Sequence, residues 1–290
     1  MRGKKVMLKQ IASTWKQFKR SKLGVVGLAI TVFFAFIAIA APLIAPYDPR
    51  ASFLAPMFSP PSPEHLLGTD DVGRDIFSQI VYGSRISIMV GLLAAAVGTI
   101  LGTVIGLFAG YYGNLLDDIL MRVTDIFLII PFIPLAILFA LYMGPNIWII
   151  ILLFGFLGWP PTARQIRAQI LSLKEAPFVE AARALGASNM RIIFRHLLPN
   201  VTGLIIANVV SRAVFAILAE AGLAFIGASD PRNISWGMII FYAQRSGAML
   251  YGAWWTIVPA GFCIALLACG FAFLGHGITV VLNPRLRGRA

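Results

Sequence analysis

Residues 174–200 read KEAPFVEAARALGASNMRIIFRHLLPN. Lys174, Glu175, Glu180, Arg183, Arg191 and Arg195 fall inside this stretch, while the blocks on either side are almost uncharged. An apolar chain that keeps such an island in mid-sequence is expected to present it to a soluble partner.

Working outward, composition fixes the solvent. The chain has 290 residues, 59% hydrophobic and 12% charged. A soluble domain carries about 25% charged residues. Half that density cannot cover a globular surface, so lipid must solvate much of the chain. The net charge of +12 could by itself suggest nucleic acid, but the charges are placed otherwise, as follows. Cys263 and Cys269 stand six apart in one apolar block, which is neither a metal nor a disulfide pattern.

Residues 1–23 carry eight Lys and Arg and no acid, with Leu8, Ile11, Trp15 and Phe18 at helical spacing. That pattern predicts a basic amphipathic helix on an anionic membrane surface. An uncharged run from Gly24 to Pro46 predicts the first membrane span. It is too long for the core of a cleaved signal peptide. Residues 47–84 hold Pro49, Pro56, Pro60, Pro61 and Pro63 and the cluster Asp70, Asp71 and Asp75. They read as an ordered aqueous loop ending in a short helix at 74–82. The acids lack calcium-loop spacing and read as caps.

Ile86 to Leu116 is a second span. Its glycines recur mostly every four residues, the spacing that lets helices pack closely in lipid. Asp117, Asp118, Arg122 and Asp125 read as a polar turn. The 38-residue uncharged run 126–163 is divided by Gly144-Pro145-Asn146 into two spans, the second ending at Trp159-Pro160-Pro161. A fifth span covers Asn200 to Ala228, a polar segment 229–253, and a sixth span runs from Trp254 to Leu282 ahead of a basic tail, 283–290. The chain therefore reads as an all-α, six-span membrane protein, with spans two to six forming a core over 85–282. With the N-terminus inside, the inner segments hold eighteen Lys and Arg and the outer loops five. The asymmetry places both termini and the 164–199 loop in the cytoplasm of a cell-membrane protein, and it turns the basic charge into a topology signal rather than a nucleic-acid one.

Within the island, Pro177 suits a first helical turn and Gly186 a left-handed stop. Phe178, Ala181, Ala182 and Leu185 share a face that can enter a groove, rimmed by Glu180 and Arg183. A second helix starts near Ser188 and feeds through Leu198-Pro199 into span five. A short knob is thus tied to a transmembrane helix, so that moving one moves the other.

Glu180-Ala181-Ala182, Gly186 and Leu198-Pro199 are similar to the coupling loop of ABC importer permeases, with Arg195 where that pattern often has an aliphatic residue. Ala41 to Pro49, Leu67 to Asp75, Met121-Arg122 with Asp125, Glu220 to Gly227 and Ser235-Trp236-Gly237 resemble the dipeptide, oligopeptide and nickel branch, second-subunit type. The resemblance implies a type I importer permease fold with a cytoplasmic coupling helix. It also implies a second permease subunit, two ATPase subunits forming a heterodimer, and an extracellular substrate-binding protein. Outer segments 47–84 and 229–253 would receive that binding protein. Imported substrates in this branch are peptides, nickel or oligosaccharides.

No phosphate-binding G-x-x-x-x-G-K-[ST] occurs. His65, His196 and His276 stand in three separate segments and form no catalytic set, so the chain reads as a pore subunit and not an enzyme. It is expected to bind no cofactor or metal itself, leaving ATP and magnesium to the ATPase partners. Arg212 and Glu220 carry charge inside span five, about 80° apart on the helix wheel, with Asn208 and Ser211 nearby. These four are the candidate pore-lining residues; the alternative is that the charges fix span five against its neighbours, the preferred reading for Glu220 and an equal one for Arg212. A secondary transporter would show inverted repeats and charges in several spans, and a scaffold has no need of a knob feeding into a span.

Overall fold

The computed structural model describes residues 17–282. The surface helix expected over 1–23 therefore lies mostly outside the described residues, as does the tail 283–290. The described residues are almost wholly helical, with one isolated β-bridge between Thr69 and Asp75.

Helix α1 covers Lys22–Ile39, capped by Ser21, whose Oγ accepts the Gly24 amide at 3.2 Å. The short α2 is Ala41–Ile44. After the proline-rich loop come α3 (Ile76–Tyr112), α4 (Asn114–Ile129), α5 (Phe132–Met143), α6 (Ile147–Gly158) and α7 (Pro160–Leu173). Then follow α8 (Pro177–Ala184), α9 (Asn189–Phe225), α10 (Trp236–Arg245) and α11 (Val258–Leu282). Among the described residues five helices are long and apolar enough to cross a membrane: Lys22–Ile39, Ile76–Tyr112, Ile147–Leu173, Asn189–Phe225 and Trp254–Val281. The pair α4–α5, bent by 79° at its break, is a sixth when counted as one broken span. The all-α, six-span reading holds.

Three boundaries differ from the sequence reading. The short helix expected at 74–82 is the beginning of the 37-residue α3. Asp75 starts it, its Oδ2 accepting the Ser78 amide at 2.7 Å, and nothing up to Tyr112 breaks it. At 1.5 Å per residue α3 is about 55 Å long, well beyond a hydrocarbon layer of about 30 Å. Its polar first turns therefore project past the apolar zone. Second, the supposed polar turn at 117–125 is helical and belongs to α4. Of its acids, Asp117 is buried and takes a bidentate bond from Arg167 at 2.5 Å, and the exposed Asp125 pairs with Arg164. Third, Pro160 and Pro161 do not end a span. They occupy the first turn of α7, where a missing N–H costs nothing, and the helix continues to Leu173.

Helix α3 is the central post, packed against α1, α6, α7 and α9. Its glycine ladder works as the spacing predicts. A methyl group at Gly102 would stand 2.6 Å from the Trp159 carbonyl oxygen, and one at Gly106 would stand 2.6 Å from that of Ala163. Only hydrogen fits between these backbones.

Two ends can be told apart by their contacts. At the loop end, the Trp255 indole donates to the Thr69 carbonyl at 3.2 Å and the Arg50 guanidinium to the Arg232 carbonyl at 2.6 Å. Fully buried Trp236 donates to the Ile80 carbonyl at 2.9 Å. At the other end a compact apolar cluster gathers Leu107, Ile166, Ile170, Val179, Ile192, Ile193 and Leu197. The charged island sits there.

Candidate functional site

The island folds into a knob and a root. Pro177 occupies the first position of α8 after Ala176, as its fixed φ favours. Gly186 stops the helix with φ +78°. The Ala187 amide donates to the Ala182 carbonyl and the Gly186 amide to the Arg183 carbonyl, both at 3.0 Å. That pair of bonds is the Schellman motif, and it satisfies the last carbonyls of the helix.

The knob is apolar on two sides. Val179 is fully buried and Ala182 is 8% exposed; both belong to the cluster with Ile192, Ile193 and Leu197. On the other side Phe178 is 40% and Leu185 88% exposed, and Glu180, Ala181 and Arg183 are open to solvent. Ala182 therefore departs from the expected docking face. It points inward with Val179, one helical turn away, and leaves Phe178, Ala181 and Leu185 as the outer surface.

The root of α9 begins at Asn189 after Ser188, whose carbonyl accepts the Ile192 amide at 3.0 Å. Residues Ile192–Leu197 form a π-helical turn, with the Leu198 amide donating to the Ile193 carbonyl five residues back. Pro199 explains the widening. A proline in an α-helix has no N–H to donate, and its ring clashes with the carbonyl four residues earlier. One wider turn relieves the clash and lets the helix run on to Phe225. The Tyr111 hydroxyl donates to Asn189 Oδ1 at 2.8 Å, so α3 holds the root as well.

In mid-span, the four candidate residues separate. Asn208 is buried and tied between helices: Thr162 Oγ1 donates to its Oδ1 at 3.1 Å, and its Nδ2 donates to Gln165 Oε1 and the Leu204 carbonyl. Ser211 is exposed and Arg212 half-buried, and both line a cavity of about 170 Å3 with Gln165, Ala207, Asn208 and Phe215. Glu220 is not on that face. It is 1% exposed and accepts bonds from Ser229 Oγ at 3.2 Å and Ser235 Oγ at 2.8 Å. The offset of about 80° from Arg212 turns it into the subunit, where it fixes α9 against the start of α10. It is a structural tie and lines no open surface. Leaving Arg212 in mid-span costs about 2.5–3.5 kcal/mol on insertion scales, which makes its open-sided position a conspicuous expense for the fold.

At the loop end, the acids noted in the sequence act as clamps. Asp70 accepts the amides of Val72 and Arg74, the Arg74 guanidinium at 2.6 Å and the Gln79 amide at 2.8 Å. Asp75 adds His65 Nδ1 at 3.0 Å to its capping role. Asp71 is the exception: burial and the neighbouring Asp70 carboxylate push its carboxyl above the ordinary value. A cavity of about 720 Å3 opens between segment 42–50 and α3 at Tyr82, Arg85 and Met89.

With a two-faced knob rooted in one long helix of a six-span bundle, the chain can be compared with known proteins. A family model described as binding-protein-dependent transport system inner membrane component matches residues 102–288. The chain belongs to this family. A second model, the N-terminal TM domain of oligopeptide transport permease C, matches residues 9–75. The permease is 35% identical over 285 residues to the dipeptide transport system permease protein DppC of Bacillus subtilis (strain 168), covering 98% of this chain and 88% of that protein. It is 38% identical over 280 residues to DppC of Escherichia coli (strain K12), covering 94% and 92%. To the oligopeptide transport system permease protein OppC of Bacillus subtilis (strain 168) it is 36% identical over 285 residues, covering 96% and 92%. Its fold matches a chain of the MetNI methionine ABC transporter, solved in inward-facing conformations, with TM-score 0.56 and 21% identity over 70% of this chain and 95% of that one. The fold expected from the family resemblance is the fold observed.

Sequence reasoning missed Asp230. It is buried and accepts from Arg232, Asn233 and the Ile147 amide, the last at 3.3 Å. That joins the 144–146 turn to the 229–235 loop. An acid beside a proline in a polar loop reads as a surface turn, and only the distant Ile147 reveals otherwise.

Proposed function

We propose that this permease forms half of the translocation pore of an ATP-driven importer of di- or oligopeptides, beside a second, homologous permease subunit. Two ATPase subunits, a heterodimer, bind the ATP and magnesium. An extracellular binding protein delivers substrate to the outer segments 47–84 and 229–253. The Lys and Arg asymmetry supports a cell-membrane orientation with both termini and the knob in the cytoplasm.

The observation that carries the proposal is the division of α8 into two apolar faces. Val179 and Ala182 lock the knob to the root of α9, while Phe178, Ala181 and Leu185 stay open with Glu180, Arg183 and Gly186 around them. An ATPase cleft that seats the outer face moves the knob as a rigid body. The π turn passes the movement into α9, along which Ser211 and Arg212 face the path. The dipeptide and oligopeptide permeases to which the chain is 35–38% identical over nearly its full length support a peptide substrate.

The test is reconstitution with both ATPase subunits, the second permease and the binding protein. Uptake of a labelled peptide that requires ATP and all partners is expected. Uptake without ATP by this chain alone would contradict the reading.

A further inference from the structure

We propose that Arg212 is a carboxylate-binding residue of the translocation path, giving a passing substrate its one cationic contact in this half of the pore. The inference rests on the importer reading above and adds the ligand chemistry of the pore face. The Arg212 guanidinium has no carboxylate within ion-pair distance and no hydrogen-bond partner among the described residues. Its nearest aromatic neighbour is the Phe215 ring, 5.9 Å from the guanidinium carbon. The buried acids of the spans, by contrast, are matched: Glu220 by two serines and Asp117 by Arg167. Arg212, within span five, faces its cavity without such a partner.

The rest of that cavity is also set up to donate. Asn208 uses its carbonyl oxygen on Thr162 and its amide on Gln165 and Leu204. Because Gln165 Oε1 takes the Asn208 amide, the Gln165 Nε2 donors are left for the cavity. Ser211 adds a hydroxyl on the same side. A guanidinium, an amide and a hydroxyl thus converge on about 170 Å3, room for a carboxylate and a few waters at about 30 Å3 each. Across from them stands Gly158. A methyl group there would lie 3.7 Å from Arg212 Nη1, so the residue at that point adds no side chain over the guanidinium.

A cationic, donor-rich site selects oxyanions and repels metal cations. The planar fork of arginine matches a carboxylate through two parallel bonds. With one open side and a single charge the contact stays weak enough to release, as conduction requires. A neutral oligosaccharide would gain little from it.

The experiment uses the complete importer in vesicles with saturating binding protein and two probes, trialanine and its C-terminal amide. For each probe the uptake of a variant is divided by that of the wild type, which cancels delivery by the binding protein. Arg212→Gln should lower trialanine uptake about tenfold and amide uptake less than about twofold. Arg212→Lys, which keeps the charge, should restore part of the difference. Equal losses for both probes in an intact complex would overturn the proposal and make Arg212 a structural charge. Loss of the second permease from the Arg212→Gln complex would overturn it too, by pairing Arg212 across the subunit interface. ATP-driven uptake of cellotriose but of neither peptide probe would overturn the carboxylate while leaving the importer standing. No ATP-driven uptake of any probe would bring down the importer reading itself.

Discussion

Tyr111 and Asn189, 78 residues apart, meet through a 2.8 Å hydrogen bond from the tyrosine hydroxyl to the asparagine oxygen. The bond joins the last turn of α3, the central post, to the first turn of α9, the helix that follows the knob. It sits at the rim of the apolar cluster that holds Val179 and Ala182. The knob, its root and the post are thus one body at this end of the bundle.

Tyr111→Phe tests that link. Asn189 is exposed and can turn to water, so the loss is about 1 kcal/mol, the usual net value of one hydrogen bond. For a chain of this size that is a fall of about 2 °C in the unfolding midpoint. Uptake per ATP hydrolysed should fall further than stability does. Unchanged coupling would remove Tyr111 from the transmission path.

The Gly186 stop makes a second prediction. The residue has φ +78° and open space where a side chain would go, so only its backbone conformation resists substitution. Gly186→Val should cost about 1–2 kcal/mol, fray the knob and reduce the ATPase retained on purification. Gly186→Asn, which tolerates the left-handed region, should retain more. Equal retention by the two variants would show that the stop is not needed for docking.

The glycine ladder of α3 offers the opposite case, space rather than conformation. Gly102→Val places its first carbon 2.6 Å from the Trp159 carbonyl and must push α7 away. A cost of about 1–3 kcal/mol should appear as a broadened size-exclusion profile of the detergent-extracted protein. A profile like that of the wild type would mean that the two helices are less closely packed than described.

How much of this could be read from sequence follows from what each signal reports. Hydropathy marks lipid contact, and it found the spans from Gly24 and Trp254, while the run from Ile126 begins inside α4 and is bent by 79° before Phe132. It failed where helix runs past lipid. Ser78, Gln79, Ser84 and Ser87 are buried inside the subunit, so their polarity hid the first turns of α3. It failed again at 117–125, where Asp117 and Asp125 are answered by Arg167 and Arg164, some forty to fifty residues further on. The knob was legible from Pro177, the glutamate-alanine-alanine triplet and Gly186, but not its rotation. Phe178, Ala181 and Leu185 form one apolar stripe and Val179 and Ala182 another, and only the cluster beneath decides which is inside. The helix was read as feeding through Pro199 into span five, but the six-residue π turn ahead of that proline was not foreseen.

Asp230 gives a pH prediction. Burial by itself raises its carboxyl, but bonds from the Arg232 guanidinium and from the amides of Arg232 and Ile147 outweigh that and hold it below the ordinary value. A carboxyl whose folded value lies below its unfolded one stabilises fully above the unfolded value, about 3.9 for aspartate. The contribution disappears as pH falls through the folded value. The wild-type unfolding midpoint should therefore drop more steeply below about pH 4 than that of Asp230→Asn, which should start lower at neutral pH. Parallel profiles would contradict the assignment.

The account turns on the outer face of α8 as the seat of an ATPase subunit, and Leu185, 88% exposed, reports on it with least disturbance to the fold. The decisive measurement is the ratio of ATPase to second permease recovered when the complex is purified through this chain carrying Leu185→Asp. A fall of about tenfold or more in ATPase, with the second permease retained, is predicted. ATPase recovered at the wild-type ratio would contradict the coupling role of the knob.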